Sequence, residues 1–369
     1  MTIQQQLYMK SSMLKKYSLG FISHSLSKRE RRAPIWWEHL TFDMLEHPLI
    51  KECIFEENFG SSAFQEPADV HLTRLGYEVV DRLSLLNRSD IVISLKPKDE
   101  WVYMKPESTL IGWFNHLESF PQPSSTVRLL SFEDIKIPIG ERQEKLLYKN
   151  ACVAGECGVA QTLDLLREND PLSPAVSPRQ RLAVVLGYGN LGQGAVAELI
   201  RQGVEQIIVF TQRQPIHLEN KLADVDYRQM IYDSDNTYVC DAQGLNTGAM
   251  IEILRDADII VNATLPSFEQ PSWTFIPQQN FNQLKRNMAY IDPVHKVGHG
   301  ASFAQTTPLT DPIKQICQFD HSIWYNGCNA MPSYRPAHAS FVISQAITTY
   351  LDDLLNTVVQ NKLLRTGIN

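Results

Sequence analysis

Three groups of residues in this chain have the types and spacing to do chemistry. The first is Gly187-Tyr188-Gly189-Asn190-Leu191-Gly192, a GxGxxG run between the apolar segment 182–186 and a segment of helical spacing. In that setting Gly187 permits a tight turn and Gly189 lets the backbone approach a pyrophosphate. Gly192 lets the helix pack on the strand, with its N-terminal amides facing the anion. The second group is Thr211-Gln212-Arg213, at the end of the next apolar run. A site for NAD places a carboxylate there to hold the ribose hydroxyls. An arginine in its stead suits the 2′-phosphate of NADP, which a guanidinium grips with two parallel bonds, and NAD remains the alternative. The third group is dispersed: the basic knot Lys28-Arg29-Glu30-Arg31-Arg32, Lys96 after an apolar run, and His116 after Gly112-Trp113-Phe114-Asn115. An arginine can clamp a carboxylate, a lysine can polarise a carbonyl and a histidine can exchange protons near neutral pH, a set that suits a 2-oxo or amino acid. Taken singly, each has a plainer reading as a solvated cation or a structural histidine.

These residues need strands to end beside one another. Apolar runs at 19–22, 77–80, 91–95, 110–114, 182–186, 206–210, 258–261 and 288–291 read as strands, and segments 192–202 and 250–257 have helical spacing. The alternation predicts an α/β fold of two doubly wound, Rossmann-like domains with a cleft between them. Segment 169–180, NDPLSPAVSPRQ, reads as a loop entering a new domain. Segment 141–168 is expected to be largely helical, and 339–364 to form one helix with Ile343, Ile347, Leu351, Leu354 and Val358 on a single face. That helix is expected to pack back on the first domain, making it discontinuous: 17–150 plus 336–369 for substrate, and 151–335, including 169–180, for the dinucleotide.

Composition narrows the classes. With 369 residues, 43% hydrophobic and 20% charged, the chain has a globular balance and a length that exceeds one typical core. A formal net charge of −7 argues against nucleic acid as partner. No apolar run approaches the roughly 20 residues that cross a bilayer, so no membrane span is expected. Residues 1–17 lack the apolar centre of a signal peptide, and the six cysteines form no CxxC pair. A cytoplasmic protein is expected, with no structural zinc or other metal.

The segments LGFISHSLSKRERRAPIWW, SDIVISLKPKDEWVYMKPESTLIGWFNHLES, KNACVAGECGVAQTL, GYGNLG, AYIDPVHKVGHGASFAQTT and NAMPSYRPAHAS, in that order, resemble the alanine dehydrogenase and saccharopine dehydrogenase superfamily over nearly the whole chain. Within it, GWFNH and KNACVAGECGV are similar to the carboxyethyl-ornithine synthases, which join pyruvate to the side-chain amine of a diamino acid with a reduced nicotinamide. The resemblance implies that Arg32 holds a substrate carboxylate and that Lys96 and His116 are catalytic. It also implies that the Asn329-Ala330-Met331 segment meets the nicotinamide through Asn329 and Met331. In the turn that carries two aspartates in alanine dehydrogenases, Asp292 matches, whereas Lys296 replaces the second acid. The lost acid weakens plain amination by ammonia, and the His295-Lys296 pair could meet an anionic substrate. The expected activity is therefore NADPH-dependent condensation of a 2-oxo acid with an amino acid's amine, in a homo-oligomer. The alternatives are an NAD-dependent alanine- or saccharopine-type dehydrogenase, or a nucleotide-binding protein of this fold without turnover.

Overall fold

The computed structural model describes residues 15–25, 30–40, 43–114, 126–175, 181–232, 237–240, 246–265, 274–294 and 296–366. His116 and His295 lie outside these residues. The chain divides into two compact units, Met1–Tyr148 with Arg335–Asn369, and Lys149–Tyr334.

In the first unit, β1 (Tyr17–Phe21), β2 (Ile50–Glu56), β3 (Glu78–Val80), β4 (Ile91–Ile93), β5 (Thr109–Gly112) and β6 (Arg128–Ser131) form one sheet in the order β3-β2-β1-β4-β5-β6. Every pairing in it is parallel. β1, β4 and β5 are buried along their whole length, which is why they read as unbroken apolar runs. β2 escaped that pattern because Lys51 and Glu52 interrupt its first half, where the Glu52 carboxylate accepts a bond of 2.6 Å from the Ser18 hydroxyl. β6 escaped it because the strand begins at Arg128.

Segment 141–168 is not helical throughout. β7 (Lys136–Ile139) and β8 (Arg142–Lys145) form an antiparallel hairpin, and helix begins only at Asn150. Gly140, at φ +58°, turns the chain, so the charged helix formers of RQEK pair across a strand instead. The C-terminal segment is two helices, Pro336–Thr349 and Leu351–Thr366, interrupted at Tyr350 (φ −112°, ψ 34°). Ile343, Ile347, Leu351, Leu354 and Val358 all enter the core built on Leu19, Phe21, Ile50, Phe55 and Ile91. The spacing therefore reported the buried face correctly even though the helix is broken.

The second unit repeats the plan. β9 (Leu182–Leu186), β10 (Gln206–Thr211), β11 (Val225–Tyr232), β12 (Thr237–Cys240), β13 (Asn246–Ala249), β14 (Ile259–Asn262), β16 (Ala289–Ile291), β18 (Ile313–Gln318) and β19 (His321–Asn326) make a nine-stranded sheet. A short parallel pair, β15 (Thr274–Ile276) with β17 (Gly300–Ala301), stands apart from it. The sheet's order is β13-β12-β11-β10-β9-β14-β16-β19-β18. The six strands from β11 to β19 are parallel, while β12, β13 and β18 add antiparallel edges. Helix Asn150–Asn169 lies against helix Asn190–Arg201 almost backbone to backbone. A Cβ on Gly155 would fall 2.0 Å from the Leu191 carbonyl oxygen, and one on Gly194 would fall 2.0 Å from that of Cys152. Both sheets thus have the strand order 3-2-1-4-5-6 of doubly wound nucleotide-binding folds, in which ligands sit beyond the carboxyl ends of the strands where the order reverses.

Candidate active site

In the first unit the order reverses between β1 and β4. Three main-chain bonds join the strand ends there: Ile22 N to Ile93 O (3.0 Å), Ser94 N to Ile111 O (2.9 Å) and Trp113 N to Leu95 O (3.0 Å). Ser25, beyond β1, donates its hydroxyl to the Lys96 carbonyl. Gly112 is required at the end of β5, because a Cβ there would lie 2.5 Å from the Ser94 carbonyl oxygen and 2.4 Å from the Pro97 ring. Lys96 is thereby fixed at the point of reversal. Arg32 is brought alongside it by a buried carboxylate, Glu30, which accepts from Arg32 Nε and Nη2 at 2.7 Å each and stands 3.5 Å from Lys96 Nζ. Arg32 also lies over the Trp113 ring, 5.0 Å from its centroid. The next residue, Ala33, donates its N–H to Ser340 Oγ (2.8 Å), tying the segment to helix Pro336–Thr349.

Burial alone would raise the Glu30 pKa. The charge and hydrogen bonds of Arg32, with the charge of Lys96, outweigh it and hold the carboxyl well below the usual carboxylate range. Among the described residues, two cations stand around one anion, a net positive centre of mostly buried side chains, with Arg32 3% and Glu30 4% exposed. Such a centre can receive a carboxylate. Glu30 as the hub and Trp113 as the aromatic floor had no signal of their own in the sequence beyond proximity to Arg32 and to the end of β5.

In the second unit the order reverses between β9 and β14, and the glycine run lies there. Gly187, at φ +99°, closes so tightly that a Cβ would meet the Ala263 carbonyl oxygen at 2.7 Å. A Cβ on Gly192 would meet the Gly187 carbonyl oxygen at 2.1 Å. At Gly189 a Cβ would meet nothing within 4 Å, so the room beside it is open to a ligand. Asn190 and Leu191 begin the helix, whose first amides are available to an anion. This cradle fits a pyrophosphate. At the end of β10, Thr211 is buried and accepts from Arg213 N (3.3 Å), Gln212 is exposed, and Arg213 Nη2 donates to the Tyr188 carbonyl (2.7 Å). Arg213 thus stands beside the glycine turn.

Asp292, just past β16, has no exposure. Its Oδ1 accepts from Asn262 Nδ2 (3.1 Å) and its Oδ2 from the Tyr325 hydroxyl (3.0 Å). Asn262 Oδ1 accepts from Thr264 Oγ1 (2.6 Å), and His299 Nε2 lies 2.9 Å from both Thr264 Oγ1 and the Thr264 carbonyl oxygen. Because a carbonyl only accepts, Nε2 carries the proton. Burial lowers the His299 pKa, the bond to Thr264 opposes this, and the Lys296 charge adds to the lowering. Asn262, Thr264, His299 and Tyr325 were not singled out in the sequence, since isolated polar residues carry no periodic signal. Lys296 is exposed, so it does not share the buried setting of Asp292. Asn329 is exposed, and Met331 is buried with its sulfur against Gly158.

A parallel 3-2-1-4-5-6 sheet occurring twice, with a GxGxxG turn at the reversal of the second, defines the class as a protein of two Rossmann-like units. More particularly, the fold is that of alanine dehydrogenase. A solved L-alanine dehydrogenase is similar with a TM-score of 0.70 and 18% identity, over 92% of this chain and 90% of that one. A transhydrogenase from Sinorhizobium meliloti is similar with a TM-score of 0.68 and 14% identity, over 93% of this chain and 95% of that one. No family model matches the chain. A formate-dependent phosphoribosylglycinamide formyltransferase of Mannheimia succiniciproducens is 29% identical over 122 residues, 31% of this chain and 28% of that protein. The chain thus spans less than a third of the curated relative it matches. Among the described residues no helix is long and apolar enough to cross a membrane.

Proposed function

We propose that the chain is an NADPH-dependent oxidoreductase acting on CH–NH bonds, which condenses a pyruvate-like 2-oxo acid with the amine of an ornithine- or lysine-like amino acid. Its product is a secondary amine, as the resemblance to carboxyethyl-ornithine synthases implies. The observation that carries this reading is the Arg32–Glu30–Lys96 cluster at the sheet reversal of the first unit. Arg32 has five N–H donors, so it can hold Glu30 and a substrate carboxylate together. The Lys96 ammonium draws electron density from the neighbouring carbonyl oxygen, which opens the carbonyl carbon to the amine. A C–N bond forms, the oxygen is protonated and leaves as water, and a C=N bond remains. The resemblance assigns the proton exchanges of these steps to His116. Residues Gly187 to Gly192 would hold the cofactor's pyrophosphate, and Thr211 and Arg213 its 2′-phosphate. When bound, the reduced nicotinamide would supply a hydride to the C=N carbon, which with a proton on the nitrogen gives the secondary amine.

Cofactor preference checks the Arg213 assignment: the wild type should favour NADPH over NADH, and Arg213→Asp should reverse the order. For the reaction, purified protein and NADPH are mixed with a panel of 2-oxo acids crossed with ornithine, lysine, other amines and ammonia, following absorbance loss and product mass. A new mass from one oxo acid and one amino acid supports the reading. Turnover with ammonia alone moves the chain to the alanine dehydrogenase type, and binding without turnover makes it a nucleotide-binding protein. A cytoplasmic setting is part of the proposal. A homo-oligomer is part of the same proposal, as are small-molecule substrates in preference to nucleic acid or membrane.

A further inference from the structure

Tyr188, the second residue of the glycine run, does something that neither the turn nor the helix requires. It is 2% exposed, and its ring meets that of Tyr227 edge-on at 4.9 Å. Its hydroxyl donates to the Asn220 carbonyl (2.8 Å) and lies 3.0 Å from the Tyr227 hydroxyl, which donates to it. The Tyr227 hydroxyl in turn accepts from Leu222 N (2.9 Å). Each hydroxyl therefore donates once and accepts once, in a run from Leu222 N–H through Tyr227 and Tyr188 to the Asn220 carbonyl. Bonds aligned in this way reinforce one another. Both ends of the run belong to the loop that follows β10, and Asn220, at φ +58°, turns the chain there. The two tyrosines clasp that loop to the glycine turn.

The same Tyr188 accepts Arg213 on its carbonyl, so the loop residues and Arg213 are fastened to one residue from its two ends. Lys221 lies between the two clasped residues and is exposed. Among the described residues it has no ion pair. The loop also carries Glu219 and Asp224, and Lys221 is its one lysine or arginine between those acids.

We propose that the Tyr188–Tyr227 clasp makes Lys221 a second cation, with Arg213, for the 2′-phosphate of the dinucleotide, and that the clasp sets the discrimination between NADPH and NADH. This rests on the NADPH reading above and adds the loop and the lysine that would enforce it. The clasp holds the backbone on either side of Lys221, so less conformational freedom is lost when the lysine meets the phosphate. Held at the ribose edge, it adds a charge-assisted bond that only the phosphorylated cofactor can use.

The test uses the full chain and its Tyr227→Phe and Lys221→Ala variants, titrated with NADPH, NADH, 2′,5′-ADP and 5′-AMP by fluorescence or calorimetry. Tyr227→Phe keeps the ring contact and deletes only the hydroxyl. Lys221→Ala should weaken NADPH and 2′,5′-ADP roughly tenfold, as loss of a charge-assisted bond implies, and leave NADH and 5′-AMP within about twofold. Tyr227→Phe should lower the NADPH-to-NADH preference by roughly the same factor and speed amide hydrogen exchange at Leu222. A wild type that prefers NADPH, with variants that keep its preference, overturns the clasp and leaves the NADPH reading standing. A wild type that binds NADH as tightly as NADPH overturns that reading, and this inference with it.

Discussion

Replacing Glu30 with glutamine is the most informative single change, because it tests stability and catalysis together at one buried charge cluster. The glutamine keeps one oxygen for Arg32 but removes the charge that faces both Arg32 Nη2 and Lys96 Nζ. Removing one partner of a buried ion pair costs about 3 to 5 kcal/mol, and the retained oxygen places Glu30→Gln near the lower end, about 3 kcal/mol. For a unit of 150 to 250 residues this corresponds to a fall in melting temperature of roughly 6 to 12 °C. The pH dependence follows from the direction of the shift. Glu30's folded pKa lies below its unfolded value, so its stabilisation is complete above the unfolded value and is lost as pH falls through the folded one. The gap between wild type and variant should therefore be full from about pH 6 to 8 and should narrow below about pH 4.3. Turnover should fall as well, by roughly 10- to 100-fold in kcat/KM for the oxo acid, since Arg32 and Lys96 lose the group that aims them. Thermal melts across pH, paired with steady-state rates, make the measurement. A variant that melts within about 1 °C of the wild type between pH 6 and 8 would refute the hub role of Glu30.

Gly189→Val should abolish dinucleotide binding without unfolding the chain, because a Cβ there meets no protein atom within 4 Å and the side chain grows into the room left for the ligand; normal binding by titration would move the cofactor site elsewhere. Lys96→Ala and His116→Ala should each cut turnover by about a hundred- to ten-thousandfold while cofactor binding persists. An inflection in the wild-type pH profile within about two units of 6.5 should vanish in the His116 variant, and rates within a few-fold of wild type would remove both assignments. His299 has a lowered folded pKa, so the stability it contributes is present above about pH 6.5 and is lost as pH falls through the folded value. His299→Gln should flatten the wild type's loss of melting temperature between about pH 7 and 5, and an unchanged slope would show that His299 is not the group being charged.

Much of the fold was legible in the sequence, for a local reason. A central parallel strand is apolar on both faces, so β1, β4, β5, β9, β10, β14 and β16 appeared as runs. The glycine turn was legible too, since Gly187 needs a positive φ and Gly192 a close backbone approach that other residues do not tolerate. β2 and β6 were hidden by charged residues near their starts, and β11, β12, β13, β18 and β19 were not read as strands. The hairpin of β7 and β8 was hidden by residues that favour helix until Gly140 turns the chain. The spacing of Ile343, Ile347, Leu351, Leu354 and Val358 reported a buried face but not the interruption at Tyr350, because a broken helix can keep the same side turned to the core.

By itself, then, the sequence determined the periodic and the sterically exacting features: the class of fold, the glycine cradle and the residue types capable of the chemistry. Only the tertiary structure decided which charges meet. Glu30 and Lys96 are far apart in the chain, yet they come within 3.5 Å because β1 and β4 are neighbours in a sheet whose order reverses between them. Tyr188 and Tyr227, and Asp292 and Tyr325, are likewise joined by strand order, and Thr264 meets His299 from outside the large sheet. Pairings of this kind leave no trace in spacing, because a side chain's partner is set by where the strands end in space and not by its distance along the chain.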